Sequence, residues 1–386
     1  MLSADLRDFD IDCCPETAIE SLQVKIVSVV GARPQFIKAA MVSHSLSRLR
    51  DVQEVLVHTG QHYDPMLSDI FFTDLELTRP AYNLDVRSGP HGAQTGRMLE
   101  RIEAVLEQET PDWVVVYGDT NSTLAGALAA VKLHLKVAHV EAGLRSFDRR
   151  MPEEINRVLT DHASDLLLAP TAGAVHNLRQ EGVPEDRVHL VGDVMYDAVR
   201  EHTVRALRVS TVLDRLGVQP PGYVLATVHR AGNTDDGPTM GAIFQGLLEV
   251  ASTVPVVLPL HPRTRKSLRE AGMLDEVQHG LRVVDPVGYL DMLVLEHHAC
   301  LIATDSGGVQ KEAFFQGVPC VTLRAETEWT ELVDSGWNRL VPPSTGEVGT
   351  RILSALAEKR PLERPSKIFG DGDAAGMIVD LLLNSG

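Results

Sequence analysis

The sequence predicts an α/β protein with two doubly wound parallel sheets, one in each of two domains that face each other across a cleft. Apolar runs of strand length alternate with helix-length segments almost throughout the chain. These runs are nearly continuous rather than alternating, as expected of parallel strands covered on both faces. The length of 386 residues also exceeds one ordinary domain. A repeating unit of strand, crossover helix and parallel strand follows, which makes each domain Rossmann-like.

The predicted strands fall into two series. The first series is Val24–Val30, Val55–Val57, Val114–Tyr117, Val137–Val140, Leu166–Leu168 and His189–Val191. The second series is Tyr223–Thr227, Val256–Leu260, Leu281–Val284, Leu301–Ala303 and Val321–Leu323. Between the two series, Val194–Leu216 is helical in pattern, and the stiff turn Gln219-Pro-Pro-Gly222 then introduces a new first strand. We therefore expect domains at residues 22–195 and 196–364.

The two ends of the chain lie outside these domains. Residues 1–21 are interpreted as a weakly ordered extension, which is acidic and lacks the apolar segment of a secretory signal. Within residues 365–386, Asp373–Leu383 is predicted to form a helix that packs back on the first domain. No run approaches the ~20 apolar residues that a membrane-spanning helix needs.

Composition and charge narrow the function classes. Hydrophobic residues make up 44 % and charged residues 23 % of the chain, as in an ordinary soluble globular protein. The formal net charge of −17 argues against nucleic acid or an anionic membrane as a partner. The four cysteines, Cys13, Cys14, Cys300 and Cys320, show neither a zinc spacing nor a disulfide framework. We therefore expect a reducing cytoplasm and no metal site.

Carboxylates follow the ends of successive predicted strands. Asp119 comes after the run that begins at Trp113, Glu141 follows the next run, and Glu153 lies shortly beyond it. In open α/β sheets, ligands bind in the crevice beyond the carboxyl ends of the strands. Clustered carboxylates there would repel each other unless the site needs proton donors and acceptors or a wall for a developing cation. The cluster indicates an enzyme acting on a sugar-like centre, although Asp119 or Glu141 alone could equally cap a helix.

Glycines and cations mark two candidate anion sites. The first strand ends at Gly31 and leads through Arg33 into a predicted helix, an arrangement suited to an anion. In the second domain, Ser306-Gly-Gly308 precedes a helix, and its unsubstituted amides could wrap a diphosphate. Glu312, about one turn further, could reach the hydroxyls of a ribose. A tight turn that needs glycine for steric reasons is the alternative explanation of the Ser-Gly-Gly segment.

Two further residues extend the predicted nucleotide-diphosphate site. His229 follows an apolar strand and precedes Arg230, while Tyr289 follows a turn after another strand, where its ring could contact a base. The dinucleotide fingerprint Gly-x-Gly-x-x-Gly is absent from the first strand–helix turn. This absence argues against NAD, so we expect no cofactor.

Seven short motifs occur along the chain in a fixed order. They are Gly31-Ala-Arg-Pro34, Thr59-Gly-Gln-His62, Gly118-Asp-Thr120, His139-Val-Glu-Ala-Gly-Leu-Arg145, Pro152-Glu-Glu-x-Asn-Arg157, His229-Arg230 and Asp305-Ser-Gly-Gly308. Together they resemble the non-hydrolysing UDP-N-acetylglucosamine 2-epimerases. The resemblance runs from about Val24 to about Val341, and it is specific as an ordered set although each motif alone is weak.

The resemblance implies a fold, an activity and a set of site residues. The fold is two Rossmann-like domains of the glycosyltransferase-B type, usually in a homodimer, and the activity is reversible inversion at C2 of a UDP-linked 2-acetamido sugar. The implied catalytic residues are Asp119, Glu141, Glu153 and His229. The UDP-binding candidates are Arg33, His229, Tyr289, Ser306, Gly307, Gly308 and Glu312. The sugar-binding candidates are Gln61, Arg145, Arg150 and Trp329.

The chemistry of such a reaction agrees with these residues. The C2 proton of the sugar is not adjacent to a carbonyl, so the enzyme must either oxidise a neighbouring carbon, which needs NAD, or expel UDP and form a glycal. The missing dinucleotide fingerprint favours elimination. Carboxylates would stabilise positive character at the anomeric carbon, one would take the C2 proton, and another group would return a proton to the opposite face. The sequence leaves open which carboxylate does which.

Two departures from the parent family bear on regulation and substrate. After Gly-Gln-His the chain reads Tyr63-Asp-Pro-Met66, which puts a second, regulatory substrate site in doubt. Where the parent enzymes have Thr-Glu-Arg-Pro, this chain has Thr327-Glu-Trp-Thr330. With Phe147-x-x-Arg150 and Gln310-Lys-Glu312, it resembles the branch that epimerises UDP-2,3-diacetamido-2,3-dideoxyglucuronic acid to the manno form for bacterial surface polysaccharide. The alternatives are the parent UDP-N-acetylglucosamine 2-epimerase activity and, less favoured, a UDP-sugar glycosyltransferase.

Overall fold

Two parallel sheets form the framework of the protein, which a computed structural model describes for residues 23–61, 75–358 and 367–385. The strands of the first sheet are β1 Val24–Val30, β2 Val52–His58, β3 Tyr82–Asn83, β4 Trp113–Tyr117, β5 Lys136–Val140, β6 Leu166–Ala169 and β7 Val188–Leu190. Those of the second are β8 Val224–Thr227, β9 Val256–Pro259, β10 Arg282–Val284, β11 Leu301–Thr304, β12 Cys320–Thr322 and β13 Asn338–Leu340. Their spatial orders are β3-β2-β1-β4-β5-β6-β7 and β10-β9-β8-β11-β12-β13.

Helices connect the strands and cover both faces of each sheet. In the first half they are α1 Arg33–Ser47, α2 His91–Glu109, α3 Asn121–Lys132, α4 Pro152–Ala163, α5 Ala172–Gln180, α6 Val194–Val209 and α7 Val212–Leu216. In the second half they are α8 Ala231–Thr234, α9 Gly237–Ala251, α10 Pro262–Glu270, α11 Leu274–Gly280, α12 Tyr289–His298, α13 Gly307–Gln316, α14 Thr330–Asp334, α15 Val348–Ala357 and α16 Ala374–Asn384. Two short 3-10 turns lie at Glu185–Arg187 and Pro343–Thr345.

The predicted fold class is confirmed, and each of the eleven predicted strands is present with its ends shifted by at most three residues. The sequence interpretation missed β3 and β13, which are edge strands of two and three residues. Each carries polar residues, so neither forms an apolar run, and pairing with a neighbouring strand is what makes it a strand. The predicted extension at residues 1–21 lies outside the described residues.

The strand pairing brings the sequence motifs to two facing edges. Tyr117 pairs with Val140 at the ends of β4 and β5, so the loops that carry Asp119 and Glu141 leave the sheet side by side. In the second sheet, Thr227 pairs with Thr304 in the same way, which places the loops after β8 and β11 next to each other. Because parallel strands point in one direction, both pairs of loops lie at the carboxyl edge, where ligands bind in such sheets.

Helix α6 connects the two halves. It packs against α1 of the first half and against α12 and α13 of the second. The last helix, α16, returns to pack on α1 and α6. Apolar residues of both halves, from Ile26 to Leu382, belong to one continuous buried cluster. In the described part of the chain, no helix is both long and apolar enough to cross a membrane.

A close backbone contact holds the returning segment in place. Gly192 lies between β7 and α6 with φ at +86°, and a Cβ atom there would lie 2.8 Å from the carbonyl oxygen of Phe369. The backbone N–H of Asp193 donates to that same carbonyl at 3.0 Å. Gly192 therefore meets two requirements at once, since a side chain would be strained by the left-handed conformation and would collide with the C-terminal segment.

We expect Gly192→Ala to destabilise the protein more than Gly182→Ala does. Gly182 has a similar φ of +79° but no atom within 4 Å of its Cβ position, so this control isolates the conformational cost, about 1 kcal/mol. The collision at Gly192 should add about 1–3 kcal/mol. Urea unfolding followed by circular dichroism measures the loss of unfolding free energy in each variant. Equal losses in the two variants would show that the C-terminal segment moves aside without cost.

Candidate active site

Glu141 lies at the end of β5 in a network of buried charges. Its carboxylate accepts a hydrogen bond from Nζ of Lys38 in α1 and another, at 2.8 Å, from Nζ of Lys311 in α13. Lys311 also donates to Asp193 at 2.6 Å, and Asp193 caps the start of α6 through the N–H of Met195. Burial favours the neutral acid, but the ammonium groups of Lys311 and Lys38 outweigh it and lower the pKa of Glu141 to about 2. Glu141 is therefore a carboxylate throughout the neutral range.

The backbone of Glu141 is also unusual, because its φ is +75°. In this left-handed conformation, the N–H groups of Glu141 and Ala142 both donate to the carbonyl of Leu168, at 3.1 and 3.2 Å. Gly118 lies directly against the side chain, and a Cβ atom there would be 3.3 Å from Oε2 of Glu141. A non-glycine residue in this region costs free energy, and residues of this kind cluster at functional sites.

A buried histidine and an ion pair support the loop after Glu141. His139, fully buried in β5, forms hydrogen bonds of 2.7 Å through Nδ1 with Asp161 and through Nε2 with the carbonyl of Gly118. Arg145 contacts Asp161 at 2.7 Å and holds Glu181 through two bonds of 2.7 Å. Arg145 is 4 % exposed and its guanidinium is engaged by protein carboxylates, so in this structure it supports the loop, and its contact with the sugar stays a prediction.

Asp119 is held by α4 rather than capping α3. Its Oδ2 accepts from the guanidinium of Arg157, and its carbonyl oxygen accepts from Nδ2 of Asn156 at 3.0 Å. The N-cap of α3 is instead Thr120, whose side chain accepts from the N–H of Thr123. The helix-cap alternative for Asp119 is thus excluded, and its carboxylate, about one-third exposed, stays at the cleft beside α4.

The two adjacent glutamates at the start of α4 have different surroundings. Glu154 is buried and accepts from the backbone N–H groups of Ser146 and Phe147, each at 2.9 Å, while Arg157 binds it at 2.9 Å. Glu153 lies in the same first turn with an exposed side chain. Glu154 therefore closes the preceding loop, and Glu153 is the one that faces solvent.

In the second domain, Asp305 joins the loops after β8 and β11. It is fully buried and accepts from the backbone N–H groups of His229 and Arg230, both at 3.0 Å, and from Nδ2 of Asn233 at 3.1 Å. The ring of His229 lies 3.5 Å from the Asp305 carboxylate through Nδ1, and its side chain is 41 % exposed. Asp305 thus orients a histidine that remains open to the cleft.

The Ser306-Gly307-Gly308 turn forms the N-terminus of α13. Ser306 is the N-cap residue, and its hydroxyl accepts from the N–H of Val309. A Cβ atom on Gly307 would lie 2.3 Å from Oε1 of Glu328, so the steric explanation applies at this position. A side chain at position 307 would displace the Glu328 carboxylate, while the N-terminal amides of the helix remain suited to an anion.

Glu328 is a buried carboxylate that sequence interpretation did not single out. Burial alone would raise its pKa. Its neighbours Arg324 and Arg230, and then Arg157 from the first domain, lower that pKa below its usual value. Arg157 therefore lies between Asp119 on its own side and Glu328 on the other, which links the two halves of the site by charge.

Four further residues were predicted to bind UDP or the sugar, and their surroundings differ. Tyr289 is 2 % exposed and its ring packs edge-on against His202, so the ring is buried in this structure, and its contact with a base stays a prediction. Glu312 lies buried in α13. Gln61 accepts from the N–H and hydroxyl of Ser122 and so fixes the loop after β2 on α3. The Arg33 side chain lies outside the described residues, as does the Tyr63-Asp-Pro-Met66 segment.

Trp329 of the second domain is buried, whereas Arg150 of the first domain is exposed. The indole of Trp329 is buried against Phe369 and lies over Nζ of Lys311, which is 4.1 Å from the ring centroid. Its Nε1 finds no acceptor among the described residues and lies 3.6 Å from the Cβ position of Gly307. The Arg150 side chain is 88 % exposed and pairs with Asp148 at 2.8 Å. Its charge also interacts with Glu326 of the second domain.

Comparison with known proteins identifies the family of this chain. The family model described as UDP-N-acetylglucosamine 2-epimerase matches residues 44–383. The chain belongs to the UDP-N-acetylglucosamine 2-epimerase family. It is 50 % identical over 369 residues to a UDP-N-acetylglucosamine 2-epimerase homolog of Methanococcus maripaludis, covering 94 % of this chain and 100 % of that protein. It is 48 % identical over 362 residues to the UDP-2,3-diacetamido-2,3-dideoxy-D-glucuronate 2-epimerase of Pseudomonas aeruginosa, covering 93 % and 99 %.

Solved structures of the family share the two-domain fold. The Methanocaldococcus jannaschii UDP-GlcNAc 2-epimerase, in complex with UDP-GlcNAc and UDP, has a TM-score of 0.88 at 43 % identity, covering 94 % of this chain and 100 % of that one. The Neisseria meningitidis enzyme bound to UDP-GlcNAc has a TM-score of 0.84 at 30 % identity, with the same coverage. The protein is therefore an isomerase, a UDP-sugar 2-epimerase.

Among the described residues, this epimerase has no group of three or more histidine, cysteine or acidic residues that could hold a metal ion. Cationic side chains around the site include Lys38, Lys311, Arg157 and Arg230. Lys311 was missed by sequence interpretation although it lies inside the Gln310-Lys-Glu312 motif. A lysine on the apolar face of a predicted helix would have been a usable signal, because such a residue needs buried anions.

We expect Asp119→Asn, Glu141→Gln and Glu153→Gln each to reduce turnover of the epimerase by about 100-fold or more, as for lost proton-transfer or charge-stabilising groups. UDP affinity should change little, because these three carboxylates are predicted to face the sugar and not the UDP group. Turnover and calorimetric titration with UDP separate the two effects.

Glu107→Gln is the matched control, since Glu107 is exposed on α2. It should leave both turnover and UDP affinity unchanged. A cleft variant that keeps near-native turnover would remove that residue from the mechanism.

Proposed function

We propose that this protein epimerises UDP-2,3-diacetamido-2,3-dideoxyglucuronic acid at C2 to the manno form, as a cytoplasmic homodimer acting in the synthesis of surface polysaccharide. The observation that carries the proposal is the 48 % identity, over nearly the whole length of both chains, to the Pseudomonas aeruginosa enzyme of that name. The parent-type UDP-N-acetylglucosamine 2-epimerases of Methanococcus maripaludis and Methanocaldococcus jannaschii are 42 % and 43 % identical.

The proposed reaction is elimination and re-addition of UDP. A cleft carboxylate removes the C2 proton, the bond from the anomeric carbon to the diphosphate oxygen breaks, and a glycal and UDP remain in the cleft. Asp119 and Glu141 stabilise positive character at the anomeric carbon, because both carboxylates lie at the same strand edge. A proton then returns to C2 on the opposite face as UDP adds back to the anomeric carbon.

His229 and the N-terminal amides of α13 are assigned to UDP. Asp305 fixes the backbone on both sides of this site, since it binds the N–H of His229 and immediately precedes Ser306. The exposed ring of His229 and the helix N-terminus therefore converge on one region of the cleft. Such donors favour the negative charge of a departing diphosphate and keep it bound for re-addition.

The C6 carboxylate of the proposed substrate needs a cation. Arg150 is the candidate, because its guanidinium lies on the exposed loop just before Glu153 and faces the second domain at Glu326. Its present partner Asp148 belongs to the same loop, and the exchange of one carboxylate for another preserves the bidentate geometry. The sequence predicts Trp329 as an apolar wall for the acetamido groups; in this structure its indole is buried behind the start of α13, 3.6 Å from the Cβ position of Gly307.

Epimerisation in D2O should place deuterium at C2 of the product, without added NAD or metal. The proton removed by a cleft carboxylate exchanges with solvent before re-addition, because carboxylic acids exchange rapidly. Proton NMR or mass spectrometry of the product measures the incorporation. Full retention of the original C2 proton would contradict elimination and indicate internal hydride transfer or carbon–carbon cleavage.

We expect kcat/KM for UDP-2,3-diacetamidoglucuronate to exceed that for UDP-N-acetylglucosamine by about 100-fold or more, since a site built for polar groups strongly rejects an analogue that lacks them. Arg150→Gln should reduce this ratio by lowering only the kcat/KM for UDP-2,3-diacetamidoglucuronate. Initial rates with each substrate alone, without a sugar acceptor, provide the measurement.

Arg149→Gln is the matched control, because it changes the same charge one residue earlier on the loop. It should leave the ratio of the two kcat/KM values intact. Equal or faster turnover of UDP-N-acetylglucosamine by the unmodified enzyme would assign the parent activity instead. No reaction until an acceptor is added would indicate a glycosyltransferase.

A further inference from the structure

A lysine of the second domain completes the surroundings of a carboxylate on the first. Lys311 is 2 % exposed and extends from α13 to Oε1 of Glu141, at 2.8 Å, and to Oδ2 of Asp193, at 2.6 Å. Its third side is covered by the ring of Trp329 at 4.1 Å. An ammonium group has three N–H donors, so two carboxylates and one aromatic face account for its full bonding capacity.

This arrangement leaves Lys311 no donor for a substrate. Its contacts instead constrain Glu141, which is held from two directions by Lys38 of α1 and by Lys311. We propose that Lys311 is a positioning residue of the epimerase, which fixes the Glu141 carboxylate from the opposite domain and so makes its placement depend on how the two domains are arranged. The inference rests on the proposed catalytic role of Glu141.

The geometry explains why both ammonium groups are needed. Lys38 and Glu141 both belong to the first half of the chain, so their pair is present whatever the position of the second domain. Lys311 reaches Glu141 only when α13 is seated against the start of α6, where Asp193 lies. Asp193 in turn is anchored by its bond to Met195, so the lysine has a fixed attachment beside Glu141.

The charged groups that face Glu141 determine the sign of the pH effect. They are Lys38 from α1 and Lys311 from α13, with Asp193 at the start of α6 beyond Lys311. Both lysines lower the pKa of Glu141, and burial opposes them. Removal of Lys311 therefore raises that pKa, and the acidic limb of the rate profile moves to higher pH.

The test compares Lys311→Met with the double variant Lys311→Met/Asp193→Asn in the full-length protein. The single variant should lose about 10- to 100-fold in kcat, the range for a misplaced reacting group. Its acidic limb should move up by about one pH unit or more, as for one lost ion-pair partner. UDP affinity should stay within about threefold, because the Lys311 side chain contacts Glu141, Asp193 and Trp329 and none of the predicted UDP-binding residues.

The double variant separates positioning from stability. Asparagine at 193 can still accept the helix-capping bond from Met195, and it removes the buried charge left unpaired by the loss of Lys311. The melting temperature should therefore recover towards that of the unmodified protein, while kcat and the pH limb remain those of the single variant. Recovery of kcat together with the melting temperature would overturn the proposal and show that Lys311 is only structural.

Two further variants complete the design. Lys266→Met, which removes an exposed lysine of α10, should change neither kcat nor the pH profile. In the Glu141→Gln background, Lys311→Met should cause little additional loss, since the residue that it positions is already changed. If Glu141→Gln is itself fully active, the proposed role of Glu141 fails. If Glu141→Gln is inactive but Lys311→Met keeps an unshifted pH limb, the role of Lys311 alone fails.

Discussion

The buried charge of Glu141 is the constraint on which the arrangement of the cleft depends. A carboxylate at the end of β5 can stay ionised there only because the ammonium groups of Lys38 and Lys311 compensate it. One of these comes from α1 and the other from α13, so the electrostatics of one residue require helices from both halves of the chain. Asp193 then balances the second ammonium and fixes the start of α6, the helix that packs between the two sheets. The ionised state of Glu141 therefore depends on how the two halves of the chain are arranged.

Much of the fold could be predicted from the sequence because parallel strands buried on both faces have a distinctive pattern. Continuous apolar runs located eleven strands, and the parallel direction implied that residues after successive strands share one edge. Asp119 and Glu141, and likewise His229 and Ser306, were placed near each other by this argument alone, and the strand pairing confirms that their loops are adjacent. The edge strands β3 and β13 were not predicted, because they form by pairing with a neighbouring strand and lack an apolar run of their own.

What the sequence could not predict is which neighbour engages each charged or aromatic side chain. Arg145 follows Glu141 closely in the sequence and was predicted to contact the sugar. In the structure its guanidinium forms ion pairs with Asp161 and Glu181. Tyr289 lies where a base-stacking ring was expected, but its helix turns the ring towards His202 and the interior. Lys311 lies 170 residues from Glu141 along the chain, and no local pattern encodes a contact of that kind. Spacing along a strand or helix predicts direction, whereas the partner depends on packing between distant segments.

The return of α16 to the first half has a consequence for how the protein is made. Its apolar residues Ile378 and Leu382 are buried in the same cluster as Ile26 and Phe36, which lie more than three hundred residues earlier. The ribosome synthesises the whole second sheet before this helix exists. Part of the apolar surface of the first half therefore stays uncovered while the second half of the chain is synthesised, and the first half completes its core only after the second has been made.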